Sequence, residues 1–388
     1  MKHIKGLVIV CALFFIYACN EPQKETKVDG FSLDLELIAD KLISQSQLQS
    51  GERVLLVGQP GQFEELVPLL QERIEGSGAI FLGARSIDDN HPETWQTEFT
   101  TFMDELGQEA LANYLKDVDL GIMLPGATPA NETYAALQKV LSEGKGRTIH
   151  FHWQGAYDLN GNLFEPDQKV DSFYQHVLLN TDYTALAKSQ LQFDSAMRGN
   201  WIQVTTPAGT DIMFQIGDRQ VTKQDGNASM DRMSSARTLI DREVELPAGA
   251  IRVAPIEESV SGKIAFPDAM WDGQLAEGVV ITIVGGQVTE ITATKNIEAV
   301  ERELDKGGEG ARSFREFALG FNPLLAIPSD NPWIPYYGYG AGVVRLSLGD
   351  NSELGGNVSG GYVRWNFFAD ATVKVGEDVW VEQGKLVR

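Results

Sequence analysis

The chain has 388 residues, 43% of them hydrophobic, with 54 acidic against 32 basic side chains and a formal net charge of −22. That length suits two domains with a core each, and the composition is that of an ordinary globular protein. So acidic a chain repels phosphate backbones and anionic lipid surfaces, which excludes nucleic acid as an expected partner.

The first 19 residues read as a targeting segment. Lys2 and Lys5 precede the apolar run GLVIVCALFFIYA, which is too short to span a bilayer comfortably and ends at Ala18 before Cys19. IYAC resembles the lipobox of bacterial lipoproteins, which implies a lipidated Cys19 and attachment to a membrane of the bacterial cell envelope. The alternative is an ordinary signal peptide or an uncleaved anchor. Polar NEPQKETK follows at once, and residues 20–30 read as a tether. Removing Lys2 and Lys5 takes the net charge of the mature chain to −24. The only cysteines are Cys11 and Cys19, so the mature domain is expected to hold no disulfide, thiolate ligand or cysteine nucleophile. Its histidines are His91, His150, His152 and His176.

From Phe31, FSLDLELIADKLISQSQL has helical spacing. RVLLVGQPG (53–61), AIFLGA (79–84), LGIMLPG (120–126) and RTIHFHW (147–153) are strand-like, with helical runs near 62–75, 93–117 and 130–143 between them. This alternation predicts a mostly parallel sheet covered on both faces, an α/β domain over 31–199 that includes a helical bridge at 168–199. GQPGQFEE lacks both the GK[ST] of a P-loop and the third glycine of a dinucleotide fingerprint, and reads as a plain strand-to-helix turn. Beyond residue 200 the pattern turns β-rich: a hairpin near 201–216, then AIRVAP, VVITIVGGQVTEITA and the C-terminal tail, with one helix near 295–306. A β-rich α+β domain over 200–388 is expected.

Five stretches of this second half carry a family pattern. They are TTPAGTDIMFQIGDRQVTKQDG, LPAGAIRVAP, EFALGFNP, VVRLSLGDN and GGYVRWNFF. In order and spacing they resemble the TxxGTDL hairpin, PAGE strand, GEVAL segment, ALGDN segment and HxD strand of the M29 aminopeptidase family. That family's relatives include an iron-dependent dihydroxypyridine dioxygenase. The resemblance implies an M29-like fold, a dimer, and a divalent zinc, cobalt or iron ion held by two glutamates, two histidines and an aspartate. Such donors leave a position open for a water whose pKa the metal lowers.

Set on those motifs, the former metal-site positions are Ala250, Glu316, Arg345, Arg364 and Asn366, so four of the five expected ligands are replaced. Arginine has no lone pair to give a metal. The expectation is therefore a degenerate centre without a metal cofactor. Two guanidiniums carry the charge of the dication they replace, and two arrangements stay open: a closed Arg345–Glu316–Arg364 triad, or Arg345 and Arg364 as an anion clamp on a carboxylate.

His150 and His152, two apart on a strand, share a face and could hold an ion, with His176 as a third ligand; the alternative is that they are structural. There is no GxSxG elbow, and no spacing supports paired glycosidase acids. The aromatic loop PWIPYYGYG (332–340) reads either as a pocket wall or as a cover for the core. The favoured function is a membrane-tethered protein that binds a small carboxylate or peptide-like ligand or acts as a scaffold. An active aminopeptidase with a rebuilt metal site is the alternative.

Overall fold

Four apolar runs of the first half pair as expected into a parallel sheet, which gains a fifth strand from farther down the chain. The computed structural model describes residues 31–388 except 62, 89, 104–105 and 165–166. Cys19 and the 20–30 tether lie outside the described residues. Across the sheet the order is Glu243–Leu246, Arg147–Phe151, Leu120–Met123, Arg53–Gly58 and Ile80–Ser86. The strand Arg53–Gly58 shows why both faces must be covered. Val54 and Leu56 share a buried cluster with Ile38 and Leu42 of helix Leu35–Ser46 and with Leu66 and Leu70 of helix Leu66–Gly76. Leu55 and Val57 point the other way, into a cluster with Leu111 and Leu115 of helix Gln108–Leu115 and with Leu137 and Val140 of helix Glu132–Ser142. Each such side chain contributes about 1.5–3 kcal/mol on leaving water.

Local signals set the helix starts. Asp34 accepts from the Leu37 amide at 3.1 Å, and Asp182 caps helix Tyr183–Met197 through the Ala185 amide at 2.9 Å. The helical run expected over 93–117 is broken into a 3₁₀ turn Glu93–Trp95 and two short helices, Glu98–Met103 and Gln108–Leu115. Hydroxyls of Thr97 and Thr100 bond the local backbone at one break, and Gly107 enters the second helix extended.

Leu33–Arg388 forms one compact unit. Its second half adds two large antiparallel sheets and the two-stranded pair Ala269–Trp271/Gln274–Ala276. The eight-stranded sheet contains the expected hairpin Ile202–Thr205/Asp211–Phe214. The five-stranded sheet runs Val363–Phe368, Val344–Gly349, Phe314–Gly320, Ala250–Val253, Thr222–Lys223. Residues 243–253 pass from the edge of the parallel sheet into this antiparallel one, and that crossing positions the site.

Candidate functional site

The crossing segment is EVELPAGAIRV. In its first strand Val244 and Leu246 are fully buried in the main core, and Glu243 and Glu245 take the other face. Parallel register sets Glu243 beside Thr148 and Glu245 beside His150. His150 Nε2 lies 3.7 Å from Glu243 Oε1, His150 Nδ1 lies 3.9 Å from Glu245 Oε1, and His152 Nε2 lies 3.9 Å from Glu245 Oε2. Tyr134, on the helix packed above, brings its hydroxyl to 2.9 Å from His150 Nδ1, while Gln138 donates to Glu243 Oε1 at 2.8 Å. Burial pushes the Glu243 carboxyl up to about 8, against a smaller downward pull from the Gln138 hydrogen bond. Burial, with His152 adding to it, also pushes His150 well below its usual range and keeps it neutral. Among the described residues, neither Glu243 nor Glu245 has a lysine or arginine ion-pair partner.

The second strand of the segment carries Ala250 and Arg252. Ala250 sits opposite Gly320; two residues on and on the same face, Arg252 sits opposite Ala318, which is in turn opposite Arg345. Glu316, two residues before Ala318, is completely buried beneath this row. Arg252 Nε and Nη2 reach Glu316 Oε2 at 3.0 Å, Arg345 Nη2 reaches Oε1 at 3.0 Å, and Ser347 Oγ donates to Oε1 at 3.3 Å. Glu353 closes the outer side, accepting from Arg252 at 2.9 Å and also from Arg315. Burial works to raise the Glu316 carboxyl, but Arg252, Arg345 and Arg315 override it and hold it well below the usual carboxylate range. Burial likewise works against a charged Arg252, and Glu316 and Glu353 overcome it.

An Arg–Glu–Arg cluster therefore forms, but Arg252 stands where Arg364 was expected. Arg364 pairs with Leu348 in the strand register and Asn366 with Leu346, so both occupy the sheet face opposite Arg345 and Ser347. Arg364 bonds Glu303 at 2.7 Å, and its guanidinium lies 3.3 Å from the Trp271 ring centroid. Asn366 donates to the Leu346 carbonyl at 3.4 Å and accepts from Arg364 at 3.3 Å. The residues that share Arg345's face are Trp365 and Phe367. A clamp formed by Arg345 with Arg364 is thus ruled out by the side of the sheet each occupies.

The divalent ion implied by the M29 resemblance does not fit here. The one surviving carboxylate is enclosed by guanidiniums, and its strand neighbours offer Ala250, Trp365 and Phe367, none of which donates to a metal. His176 also departs from expectation. It lies exposed on helix Gln168–Asn180 beside Asn180, away from His150 and His152, whose nearby carboxylate is Glu245.

Both clusters line one cavity of about 220 Å³. Its lining includes His150, His152, Glu243 and Glu245, the arginines Arg252 and Arg345 with Glu353, and the aromatic rings of Tyr337, Tyr339 and Trp365. The PWIPYYGYG loop serves both of its expected roles, because Tyr336 is fully buried against Tyr174 while Tyr337 and Tyr339 face the cavity. Arg345 is the unusual lining group. It is 2% exposed, lies 4.6 Å from the Trp365 ring centroid and donates through Nη1 to the Tyr337 carbonyl at 3.2 Å. Among the described residues its Nε and Nη2 have no hydrogen-bond partner, since the 3.0 Å approach to Glu316 brings the charges together off the hydrogen-bond axis.

Arg252 was the functional position that the motifs did not mark. Its signal was available: in PAGAIRV it lies two residues past Ala250 and must share its face. Glu243 and Glu245 gave no comparable signal, because their partner strand lies about 95 residues earlier.

No family model matches the sequence, and no curated protein matches it. Solved structures do. A 2,5-dihydroxypyridine dioxygenase from Pseudomonas putida KT2440 superposes with a TM-score of 0.60 at 14% identity, over 91% of this chain and 96% of that one. AmpT from Thermus thermophilus gives 0.56 at 15% identity, over 91% of this chain and 99% of that one. At such identities the likeness establishes architecture: the chain has an M29 aminopeptidase-like fold.

Proposed function

We propose that the protein is a lipoprotein tethered through Cys19, and that its cleft binds a small carboxylate-bearing, peptide-like ligand without metal chemistry at Glu316. One observation carries the binding reading: Arg345 lines the cavity, is nearly sealed from water, and keeps Nε without a hydrogen-bond partner among the described residues, while its Nη2 is ion-paired with Glu316 at 3.0 Å. Buried donors of that kind are costly unless a partner arrives, and a carboxylate supplies two acceptors in the plane a guanidinium prefers. Tyr337, Tyr339 and Trp365 provide apolar area beside it, and Glu243 and Glu245 in the same lining suit a cationic or hydrogen-bond-donating group.

The test is calorimetric titration of the full-length protein in detergent with di- and tripeptides, the same peptides as C-terminal amides, and short dicarboxylates. Free carboxylates should bind at least about tenfold more tightly than amides, the energy of one charge-assisted bond. Arg345→Gln should remove that preference and Arg364→Gln should keep it. Equal affinity for acids and amides, or no binding across the panel, would overturn the reading. Tethering is checked separately by metabolic acyl labelling, which Cys19→Ser should abolish.

A second reading, removal of N-terminal residues from peptides at a rebuilt metal site, is favoured by the cluster of His150, His152 and Glu245. It requires chelator-sensitive release of free amino acids with added zinc, cobalt, manganese or iron.

A further inference from the structure

We infer that His150, His152 and Glu245 form a binding site for one divalent first-row transition-metal ion, separate from the Glu316 position and lining the same cavity as Arg252 and Arg345. The geometric basis is convergence. One ligand atom from each of the three residues lies within 4.8 Å of the other two. His150 Nδ1 and His152 Nε2 stand on either side of the Glu245 carboxylate, each 3.9 Å from one of its oxygens. Bonds of about 2.0–2.2 Å to nitrogen and oxygen put two donors of one ion roughly 3–4 Å apart, so small side-chain rotations close the set.

The backbone explains why these three meet. His150 lies in the fully buried strand Arg147–Phe151, Glu245 is its direct neighbour in the parallel pair, and His152 follows one residue beyond the strand on the same face. A supporting shell is in place. Thr148 Oγ1 lies 3.0 Å from His150 Nε2, which fixes the ring and leaves Nδ1 towards Glu245. Tyr134, whose hydroxyl now stands 2.9 Å from Nδ1, has to swing aside or bind alongside. Glu243, 3.7 Å from His150 Nε2, adds a second carboxylate behind the ring.

Charge is the second, independent argument. Two carboxylates and two imidazoles are gathered in a buried pocket, and among the described residues no lysine or arginine is paired with any of them. The nearby guanidinium of Arg252 is committed to Glu316 and Glu353. A dication answers the imidazole lone pairs and the Glu245 carboxylate that they flank. Imidazole and carboxylate donors select zinc, iron, cobalt or nickel over calcium and magnesium, and two nitrogens with one oxygen leave coordination positions open to the cavity. This site does not depend on the carboxylate reading at Arg345, because none of its ligands contacts that residue.

The experiment loads full-length protein in detergent with Co²⁺, records its visible d–d absorption, displaces it with Zn²⁺, and counts metal after desalting. One ion per chain with the intense bands of a low-coordinate cobalt site is expected. Glu245→Gln and His152→Ala should each weaken Zn²⁺ affinity at least about tenfold, the smallest loss that even an outer-shell change produces. His176→Ala and Arg364→Gln should leave it unchanged, and loss of metal in either overturns the assignment. Absence of cobalt bands and of stoichiometric zinc in the unmutated protein overturns the site. So does affinity that survives both ligand substitutions, and thermal melts show whether each variant remains folded. Peptide titrations of the metal-loaded and chelated protein separate this result from the binding reading, since either can fail alone.

Discussion

Two neighbouring clusters bury carboxylates in opposite ways. Glu316 is completely buried, yet its carboxyl is held strongly acidic, because three arginines outweigh the cost of burial. Glu243 is almost as buried, meets histidines and Gln138 instead, and its carboxyl rises to about 8. Burial alone therefore does not decide the state of an acid; what its neighbouring strands place against it does. Arg252, Arg315 and Arg345 share Glu316 and Glu353, whereas Glu243 and Glu245 have no lysine or arginine partner among the described residues.

The largest effect is expected from Glu316→Gln. It leaves Arg252 and Arg345 buried without their shared counterion, and chemical denaturation should show a loss of about 3–5 kcal/mol. Glu243→Gln is the contrasting substitution. The amide keeps the contact with Gln138 and removes no ion pair to lysine or arginine, so its cost should stay below about 1 kcal/mol. If the two substitutions cost the same, the distinction between the two clusters fails.

Acid should attack the Glu316 cluster. The folded-state pKa of Glu316 is depressed from its ordinary value of 4.5, so its contribution is complete above that value. It is lost as pH falls below 4.5, through the lower pKa of the folded state. The stability gap between the unmutated protein and Glu316→Gln should accordingly narrow in that acidic range, as equilibrium unfolding at stepped pH will show. A gap that stays constant to strongly acid pH would mean that Glu316 is not the ionised centre of the cluster.

A similarly small effect belongs to the other face of the sheet. Arg364 has a partly exposed partner in Glu303 and lies over Trp271, so Arg364→Gln should cost about 1 kcal/mol and leave ligand and metal binding intact. A loss of binding in this variant would mean that the strand register has been misjudged.

Much of this was legible in the residues. The alternation of apolar runs with helical spacing yields the parallel sheet, because a strand such as Arg53–Gly58 buried on both faces has to be hydrophobic throughout. The order of five weak motifs pointed to the M29-like architecture, and Glu316 was marked as the centre from the sequence. The expected cluster was right in kind and wrong in one member. Arg364 lies one residue out of phase with the Trp365 and Phe367 face, and a strand's period of two turns that single step into the far side of the sheet.

What the sequence by itself determined is therefore the local character of each segment: which runs are strands and where aspartates start helices. Tertiary structure alone decided which charges meet. Arg252 reaches Glu316 across paired strands, and Glu245 reaches His150 because residues 243–246 cross over to the edge of the first sheet. Those encounters depend on register between segments far apart in the chain, and no periodicity within either segment records it.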